Sequence, residues 1–298
     1  MLSYFVCPNM DKSRPNFFIV GAPKSGTTSF FKYLDGHPDV FMSPLKEPNF
    51  FSYDVIEQQG LFYAEKGVST LNDYLKLFKE VTNQKVIGEA SVSYLFYDGI
   101  AEKIKVFNAE SKVLILLRNP VERAISHYEM DYRLGYVKKP LLEIINSNQI
   151  SDKLHFQQYI ELGLYSNQIK RYKNVFDERH LKIYLTDEFI SDPRHVIQDL
   201  YHFLNISENY SPDLRVSHNS YLNPKNRLIA NIYRSKWLRS VAKNILPGKL
   251  TSVIKHYLFK SERNEIDEKL ITQLKLIYKA DILSTEKVIG KTLSNWYE

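Results

Sequence analysis

The sequence predicts a doubly wound α/β fold, because its composition is globular and strand-like segments alternate with helix-like ones. The chain has 298 residues, of which 44% are hydrophobic and 25% are charged, enough for a substantial buried core. With 11 glycines and 12 prolines it has too few of either for a long flexible linker or a low-complexity fibre. The apolar runs are continuous rather than alternating, which is typical of parallel strands covered by helices on both faces.

The sequence predicts four strands with helical patterns between and after them. The predicted strands are residues 17–20, 86–88, 113–117 and 181–185. The predicted helices are residues 27–34, 71–80, 120–134, 167–176 and 193–204, and a long one from about 264 to 290. Pro193 opens one of them, in the first turn where proline is tolerated. The chain is interpreted as a single domain, 1–298, with 1–15 as an N-terminal extension and 205–298 as a mostly helical C-terminal part.

The charge indicates the kind of ligand to expect, and the cysteine content indicates the redox compartment. A net charge of +6 and a pI near 9.0 suit an anionic ligand. The tract 234–260 contains basic residues and no acidic ones, and is interpreted as a solvated helical face or, alternatively, as a polyanion or membrane-surface contact. No RNP motif, zinc finger or basic zipper occurs, so nucleic acid is not an expected partner. A single cysteine, Cys7, excludes an internal disulfide and favours a reducing compartment.

The hydropathy pattern predicts a cytoplasmic protein. The first 15 residues lack the basic region of a signal peptide. No apolar run reaches the roughly 18 residues that a transmembrane helix needs.

The segment after the first predicted strand has the features of a phosphate-binding loop. Gly21 and Gly26 let the backbone approach a ligand closely, and the amides at the start of the following helix favour an anion. Lys24 adds a positive charge, and Thr27 begins a run of hydroxyl side chains. A Walker A loop would place lysine where Thr27 stands, so an ATPase with the usual lysine and magnesium arrangement is disfavoured.

A second phosphate signal follows the strand at 113–117. Arg118 lies at its carboxyl end, where open α/β sheets bind ligands. Pro120 begins a helix, and Ser126 lies eight residues after Arg118. A guanidinium and a hydroxyl placed in this way can bind one phosphate.

Together the two segments resemble the phosphate-binding signatures of sulfotransferases that use 3′-phosphoadenosine 5′-phosphosulfate (PAPS). The resemblance extends through HPDVFMSPLKEPNFF, GEASVSYL, GLYSNQIKRY and LTDEFISDP. It is closer to the heparan-type and bacterial small-molecule branch than to the cytosolic phenol and steroid branch. The resemblance implies a P-loop NTPase-like fold with a central parallel sheet, PAPS as sulfuryl donor, its bisphosphate PAP as product, and no metal.

The resemblance also implies roles for individual residues on the cofactor side. Lys24 would contact the oxygen that bridges phosphate and sulfate, stabilising charge on the leaving phosphate. The 3′-phosphate would be held by Arg118 and Ser126. The 5′-phosphate would be held by Ser25, Gly26, Thr27, Thr28 and Ser29. The further cofactor-binding candidates are Tyr165, Lys225 and Arg227.

On the acceptor side, Glu47 aligns with the catalytic glutamate of the heparan-type branch and is the candidate base. The alternative is a loop residue paired with Lys46. Glu89 is the second candidate, with a structural hydrogen-bonding role as its alternative, and His37 and His127 are interpreted as structural. The candidate acceptor-binding residues are Lys46, Asn49, Phe51, Glu89 and Tyr94. Two positions depart from the heparan-type branch: Ala90 replaces a lysine and Asn49 replaces a histidine.

The sequence therefore predicts a sulfotransferase that acts on a hydroxyl or amine of a small molecule, such as an alkaloid toxin or another secondary metabolite. The alternative acceptor is a carbohydrate or glycolipid. Two other classes stay open: a diverged P-loop kinase, disfavoured by Thr27 and by the Arg118–Ser126 pair, and an inactive nucleotide-binding scaffold.

Overall fold

The computed structural model describes residues 13–63, 67–147, 149–214, 223–224, 259–260 and 267–298. It divides into two compact units. The first combines residues 1–119, 164–218 and 281–293, and the second combines 120–163, 219–280 and 294–298. The interpretation as a single domain stays a prediction.

A five-stranded parallel sheet forms the centre of the first unit. Its strands are β1 (Phe17–Gly21), β2 (Val40–Met42), β3 (Val86–Ala90), β4 (Lys112–Leu117) and β5 (Leu181–Leu185). The order across the sheet is β2-β3-β1-β4-β5. All four predicted strands are present. The short strand β2 was not predicted, because three apolar residues are too few to stand out as a strand.

This strand order places β3 and β4 on opposite sides of β1. Phe17 is in register with Gly88 on β3 and with Lys112 on β4, and both pairings are parallel. The carboxyl ends of the three strands therefore lie at one edge of the sheet, with the end of β1 between those of β3 and β4. Open α/β sheets bind ligands at such a point.

Eleven helices of the described residues accompany the sheet. In chain order they are α1 (Thr27–Asp35), α2 (Tyr53–Gln59), α3 (Leu71–Lys76), α4 (Ile100–Phe107), α5 (Pro120–Leu134), α6 (Leu141–Ile145), α7 (Lys153–Tyr159), α8 (Tyr165–Val175), α9 (Thr186–Ser191), α10 (Pro193–Leu204) and α11 (Glu268–Ile289). The predicted helices are present, although α3 ends four residues early in a series of turns. At the start of α10 the Asp192 side chain accepts a hydrogen bond from the amide of His195, as expected of an N-cap.

The core of the first unit explains why the strands are so apolar. Phe17 and Ile19 on β1 are fully buried, as are Leu34 on α1 and Leu200 on α10, which belong to the same cluster. Burying an aliphatic or aromatic side chain contributes about 1.5–3 kcal/mol. This packing holds the sheet rigid beneath the loops at its carboxyl edge.

The second unit contains α5, α6 and α7. The fully buried Arg123 of α5 donates to the carbonyl oxygens of Gln158 (3.1 Å) and Tyr159. The Tyr278 hydroxyl donates to the same Tyr159 carbonyl at 2.9 Å. His127 is buried, with Nε2 3.9 Å from the Asp131 carboxylate, consistent with a structural histidine. Elsewhere in the chain, Asn223–Pro224 (β6) pairs antiparallel with Phe259–Lys260 (β7).

Candidate active site

The loop between β1 and α1 forms a backbone cradle at the carboxyl edge of the sheet. Gly26, the N-cap of α1, has a left-handed conformation with φ of 88°. A Cβ built on Gly26 would meet no atom within 4 Å, so the space in front of the helix is open. The first amides of any helix lack intrahelical acceptors, and the helix dipole makes this end attractive to an anion. The loop is therefore shaped to receive a phosphate.

Ser25 supplies an independent indication of a ligand in this cradle. Its side chain is 2% exposed, and its Oγ atom is buried without a hydrogen-bond partner. Burying a hydroxyl without a partner costs free energy, so such atoms are uncommon in folded proteins. A phosphate oxygen of PAPS would satisfy it, and the donors of the loop fit such a group.

The ends of β4 and β5 hold the cradle in place. Arg118 Nη1 donates to the Lys24 carbonyl at 3.4 Å, and the Tyr165 hydroxyl donates to the Arg118 carbonyl at 3.0 Å. The Thr186 hydroxyl lies 2.9 Å from the Leu117 carbonyl and 3.4 Å from that of Ser25. The structure thus brings together three residues that the sequence predicted, Lys24, Arg118 and Tyr165.

Thr186 is a site residue that the sequence analysis missed. A hydroxyl directly after a buried strand was its available signal, since β5 ends at Leu185. Of the other predicted cofactor residues, Ser126 lies partly exposed on α5 in the second unit. Lys225 and Arg227, like most of the basic tract 234–260, lie outside the described residues.

The segment 46–51, termed the Glu47 loop, runs beside the end of β3. The Glu47 amide donates to the Ala90 carbonyl at 2.8 Å. The Glu47 carboxylate lies 2.7 Å from Lys46 Nζ, and 39% of its side chain is exposed. The pairing with Lys46 agrees with the structural alternative for Glu47. The exposure leaves the carboxylate accessible to a substrate.

The backbone of this loop is held in an unusual conformation. Among the described residues four non-glycines have positive φ, and three of them are site candidates: Lys24 (68°), Glu47 (64°) and Asn49 (50°). Such conformations cost about 1–3 kcal/mol and persist where the surroundings impose them. Gly67 lies against this loop, and a Cβ at that position would lie 2.1 Å from the Pro48 carbonyl oxygen, so the absence of a side chain permits the close contact. This concentration of strain indicates that the loop geometry matters for function.

Glu89, on β3, is fully buried among three hydroxyl groups. Its carboxylate accepts hydrogen bonds from Tyr74 (2.8 Å), Tyr94 (2.9 Å) and Ser91 (2.6 Å). Burial raises the pKa of Glu89 to about 7; the three hydroxyls act in the opposite direction, and the charge of Glu47 adds to the increase. The structural alternative for Glu89 accounts for these contacts.

Two predicted acceptor-binding residues lie beneath the surface. Phe51 is 8% exposed and Tyr94 is fully buried, and their rings pack edge to face at 5.5 Å. The role of both as direct acceptor contacts stays a prediction, whereas their packing supports the Glu47 loop from below. His37 is held by backbone on both ring nitrogens, through the Ser207 carbonyl and the Asp39 amide, in agreement with a structural role.

Two features concern the described residues as a whole. They contain no group of three histidine, cysteine, aspartate or glutamate side chains placed to hold a metal ion. Within the same residues, no helix combines the length and apolar character that crossing a membrane requires.

Comparison with known proteins gives one consistent family. The family described as "Sulfotransferase domain" matches residues 14–292. Among similar proteins, the membrane-associated sulfotransferase kil1 of Dictyostelium discoideum is 30% identical over 55% of this chain and 32% of its own length. Human heparan sulfate glucosamine 3-O-sulfotransferase 5 is 25% identical over 95% of this chain and 74% of its own. Against other curated relatives the chain spans less than half of their length.

A solved structure shows the same fold. A sulfotransferase from Alicyclobacillus acidocaldarius superposes with a TM-score of 0.71 at 29% identity, covering 96% of this chain and 99% of that one. The predicted fold class, a P-loop NTPase-like parallel sheet flanked by helices with a helical C-terminal region, is confirmed.

Proposed function

The chain belongs to the sulfotransferase domain family, and on that premise we propose that it transfers a sulfuryl group from PAPS to a small-molecule hydroxyl or amine. The observation that carries the proposal is the cradle at α1, with its open Gly26 face and the buried Ser25 hydroxyl that lacks a partner. PAPS, when bound, supplies an activated sulfuryl group on a good leaving phosphate. The residues of this chain would supply positioning and electrostatic stabilisation, the main sources of catalysis in group transfer of this kind.

On the donor side, the phosphate would bind to Ser25, to the start of α1 and to the hydroxyls of Thr27, Thr28 and Ser29. Lys24 would place its ammonium against the charge that develops on the leaving oxygen. Arg118 is partly exposed and supports the Lys24 carbonyl, so it can position the loop as well as hold the 3′-phosphate with Ser126. Tyr165 would act through its hydrogen bond to Arg118.

On the acceptor side, Glu47 would take the proton of the attacking group. Its carboxylate is the more exposed of the two candidates and needs only to leave Lys46 to reach a substrate. A general base must come within hydrogen-bond distance of the proton it removes, which Glu89 in its fully buried position does not achieve. Lys46 can then bind negative charge near the acceptor, where Ala90 lacks a charged group.

Two classes of acceptor remain in competition. The neutral residues Ala90 and Asn49, where the heparan-type branch has basic ones, favour a small molecule such as a secondary metabolite. Heparan sulfate and carbohydrate sulfotransferases among the similar proteins favour a sugar or glycolipid. A reducing, cytoplasmic location and independence of metal are further expectations of the small-molecule proposal.

The first test is thermal unfolding with PAP, beside ADP and ATP with magnesium. A ligand of the folded state at a hundred times its Kd adds about 2.7 kcal/mol to the free energy of unfolding. We expect PAP alone to raise the unfolding midpoint. A shift only with ATP and magnesium would favour the kinase, and a chain insensitive to all three would be no nucleotide-dependent enzyme.

The second test offers radiolabelled PAPS with naphthol, naphthylamine and heparosan oligosaccharides, each with and without EDTA. We expect label to transfer to naphthol or naphthylamine and to be unaffected by EDTA. Transfer to heparosan alone would establish the carbohydrate alternative. PAP binding without transfer to any acceptor would favour the scaffold.

A further inference from the structure

We propose that Glu89 is a positioning residue for this reaction, whose buried carboxylate orients two hydroxyl groups that anchor the backbone of the Glu47 loop. The inference rests on the proposed function of that loop. It assigns Glu89 neither to the acceptor nor to the proton transfer, but to the geometry of the residue that performs it.

The first anchor runs through Ser91. The Asn49 amide donates to Ser91 Oγ at 3.0 Å, and Ser91 Oγ donates to Glu89 Oε2 at 2.6 Å. All three residues are at least nine-tenths buried. Asn49 has a positive φ of 50°, so this hydrogen bond holds a backbone amide that the chain would not place there by preference.

The second anchor runs through Tyr94. The Phe51 amide donates to the Tyr94 hydroxyl at 3.3 Å, and that hydroxyl donates to Glu89 Oε1 at 2.9 Å. The two anchors lie two residues apart on the loop, on the C-terminal side of Glu47. They hold the backbone on that side of Glu47, while the Glu47 amide itself donates to the Ala90 carbonyl.

The Glu89 carboxylate determines how the two anchoring hydroxyl groups are oriented. An ionised carboxylate only accepts hydrogen bonds, so the hydrogens of Ser91 and Tyr94 are committed to Glu89. The lone pairs of both hydroxyls are then turned toward the loop amides, and hydrogen bonds to a charged acceptor are the stronger kind. A glutamine in place of Glu89 has a donor on one side, which forces at least one hydroxyl to turn away.

The ionisable groups around Glu89 agree with this role. Tyr74 faces it from α3, Tyr94 from the segment after β3, Glu47 from the loop, and Tyr172 from α8. The described residues place no lysine or arginine in ion-pair distance of Glu89, so hydroxyl donors alone balance its charge at this depth.

Tyr74 provides a matched control. Its hydroxyl donates to the same oxygen as Tyr94, Glu89 Oε1, at a similar distance of 2.8 Å. Its ring stacks on Phe50 with centroids 4.4 Å apart, but its hydroxyl has no hydrogen bond to the loop backbone. Tyr74→Phe and Tyr94→Phe therefore remove equivalent donors from Glu89, and only the second breaks an anchor.

The experiment compares Tyr94→Phe, Ser91→Ala, Glu89→Gln and Tyr74→Phe by two readouts. The first is hydrogen–deuterium exchange of peptides covering residues 47–52 without cofactor. The second is the pH profile of kcat, measured with the acceptor that the wild-type protein sulfonates. For each variant, the PAP-induced rise in unfolding midpoint serves as a check on cofactor binding. We expect faster exchange and a loss of kcat on the order of ten-fold in Tyr94→Phe, Ser91→Ala and Glu89→Gln, with the PAP response retained, because misplacing a catalytic group costs rate rather than cofactor binding.

The control defines the result that would overturn the inference. Tyr74→Phe should keep wild-type exchange and the plateau of kcat, while the acid limb of its pH profile moves upward as in Tyr94→Phe. Equal loss in both tyrosine variants would reduce Glu89 to a general stabilising residue. If Glu89→Gln does not fold, the Ser91 and Tyr94 variants decide the question. A wild-type protein that sulfonates no acceptor would refute the proposed function, and with it the role of Glu89 in catalysis, while exchange would still report on the anchoring.

Discussion

Lys24 joins a positive charge to a left-handed backbone in the loop between β1 and α1. Its φ is 68°, and its carbonyl is held by Arg118 at 3.4 Å. A lysine on a mobile loop would bind any phosphate loosely. A lysine whose backbone is fixed can direct its ammonium to one oxygen, and preorganised charge of this kind is effective in catalysis.

Replacing Lys24 by alanine should therefore affect turnover more than binding. We expect kcat to fall by about 10²- to 10³-fold, the usual cost of losing one group that stabilises transition-state charge, with PAP still raising the unfolding midpoint. Lys32→Ala is the control, since Lys32 lies on α1, the helix that follows this loop, with half of its side chain exposed and its ammonium paired with Asp35. Normal sulfonation by Lys24→Ala would contradict the leaving-group role.

At the scale of single elements, the N-cap of α1 lies at the proposed phosphate site. Gly26 at the N-cap of α1 and Gly99 at the N-cap of α4 have nearly the same conformation, with φ of 88° and 74°. At neither position would a Cβ meet an atom within 4 Å. The two caps differ in location, since only α1 begins in the phosphate-binding loop.

Because the two caps are alike, we predict the effect of the same substitution at both positions. Gly26→Ala and Gly99→Ala should each lower the free energy of unfolding by about 1 kcal/mol, because alanine resists the left-handed conformation. Only Gly26→Ala should also lower the affinity for PAP, because its methyl group enters the space that the phosphate requires. The comparison is made by urea unfolding and by titration with PAP. Equal PAP affinity in both variants would place the phosphate elsewhere.

At the scale of the whole molecule, the protein buries an ionisable carboxylate beneath its candidate site. Burial raises the pKa of Glu89 from an ordinary 4.5 to about 7. Between these values the folded protein keeps a proton that the unfolded chain has released, so the contribution of Glu89 to stability falls as the pH rises through this window. Above about pH 7 Glu89 is ionised in the folded protein, and the folded protein is then less stable than it is at lower pH. The proposed anchoring of the Glu47 loop therefore comes at a cost in stability.

Glu89→Gln should remove this dependence. The free energy of unfolding of the wild type, relative to Glu89→Gln, is expected to drop between about pH 5 and about pH 8 by up to about 3 kcal/mol, at roughly 1.4 kcal/mol per pKa unit. Urea unfolding at the two pH values measures it, and Glu80→Gln, an exposed carboxylate, is the control. A difference that stays constant with pH would mean that Glu89 has an ordinary pKa in the folded protein.

The sequence by itself determined the sheet and the family, and it predicted a phosphate-binding loop after β1. These rest on local patterns: unbroken apolar runs report burial on both faces, and Gly21, Lys24 and Gly26 lie within six consecutive residues. The three residues of β2 escaped because a short strand has no periodicity to detect.

Only the tertiary structure decided how the two loops of the candidate site are supported. Thr186 reaches the loop across 161 positions of sequence, and Tyr74 reaches Glu89 across 15. The unpaired hydroxyl of Ser25 and the two anchors of the Glu47 loop are also properties of folded packing. Hydrogen bonds depend on where donors and acceptors meet in space, and residues far apart in the chain leave no local pattern by which that meeting can be foreseen.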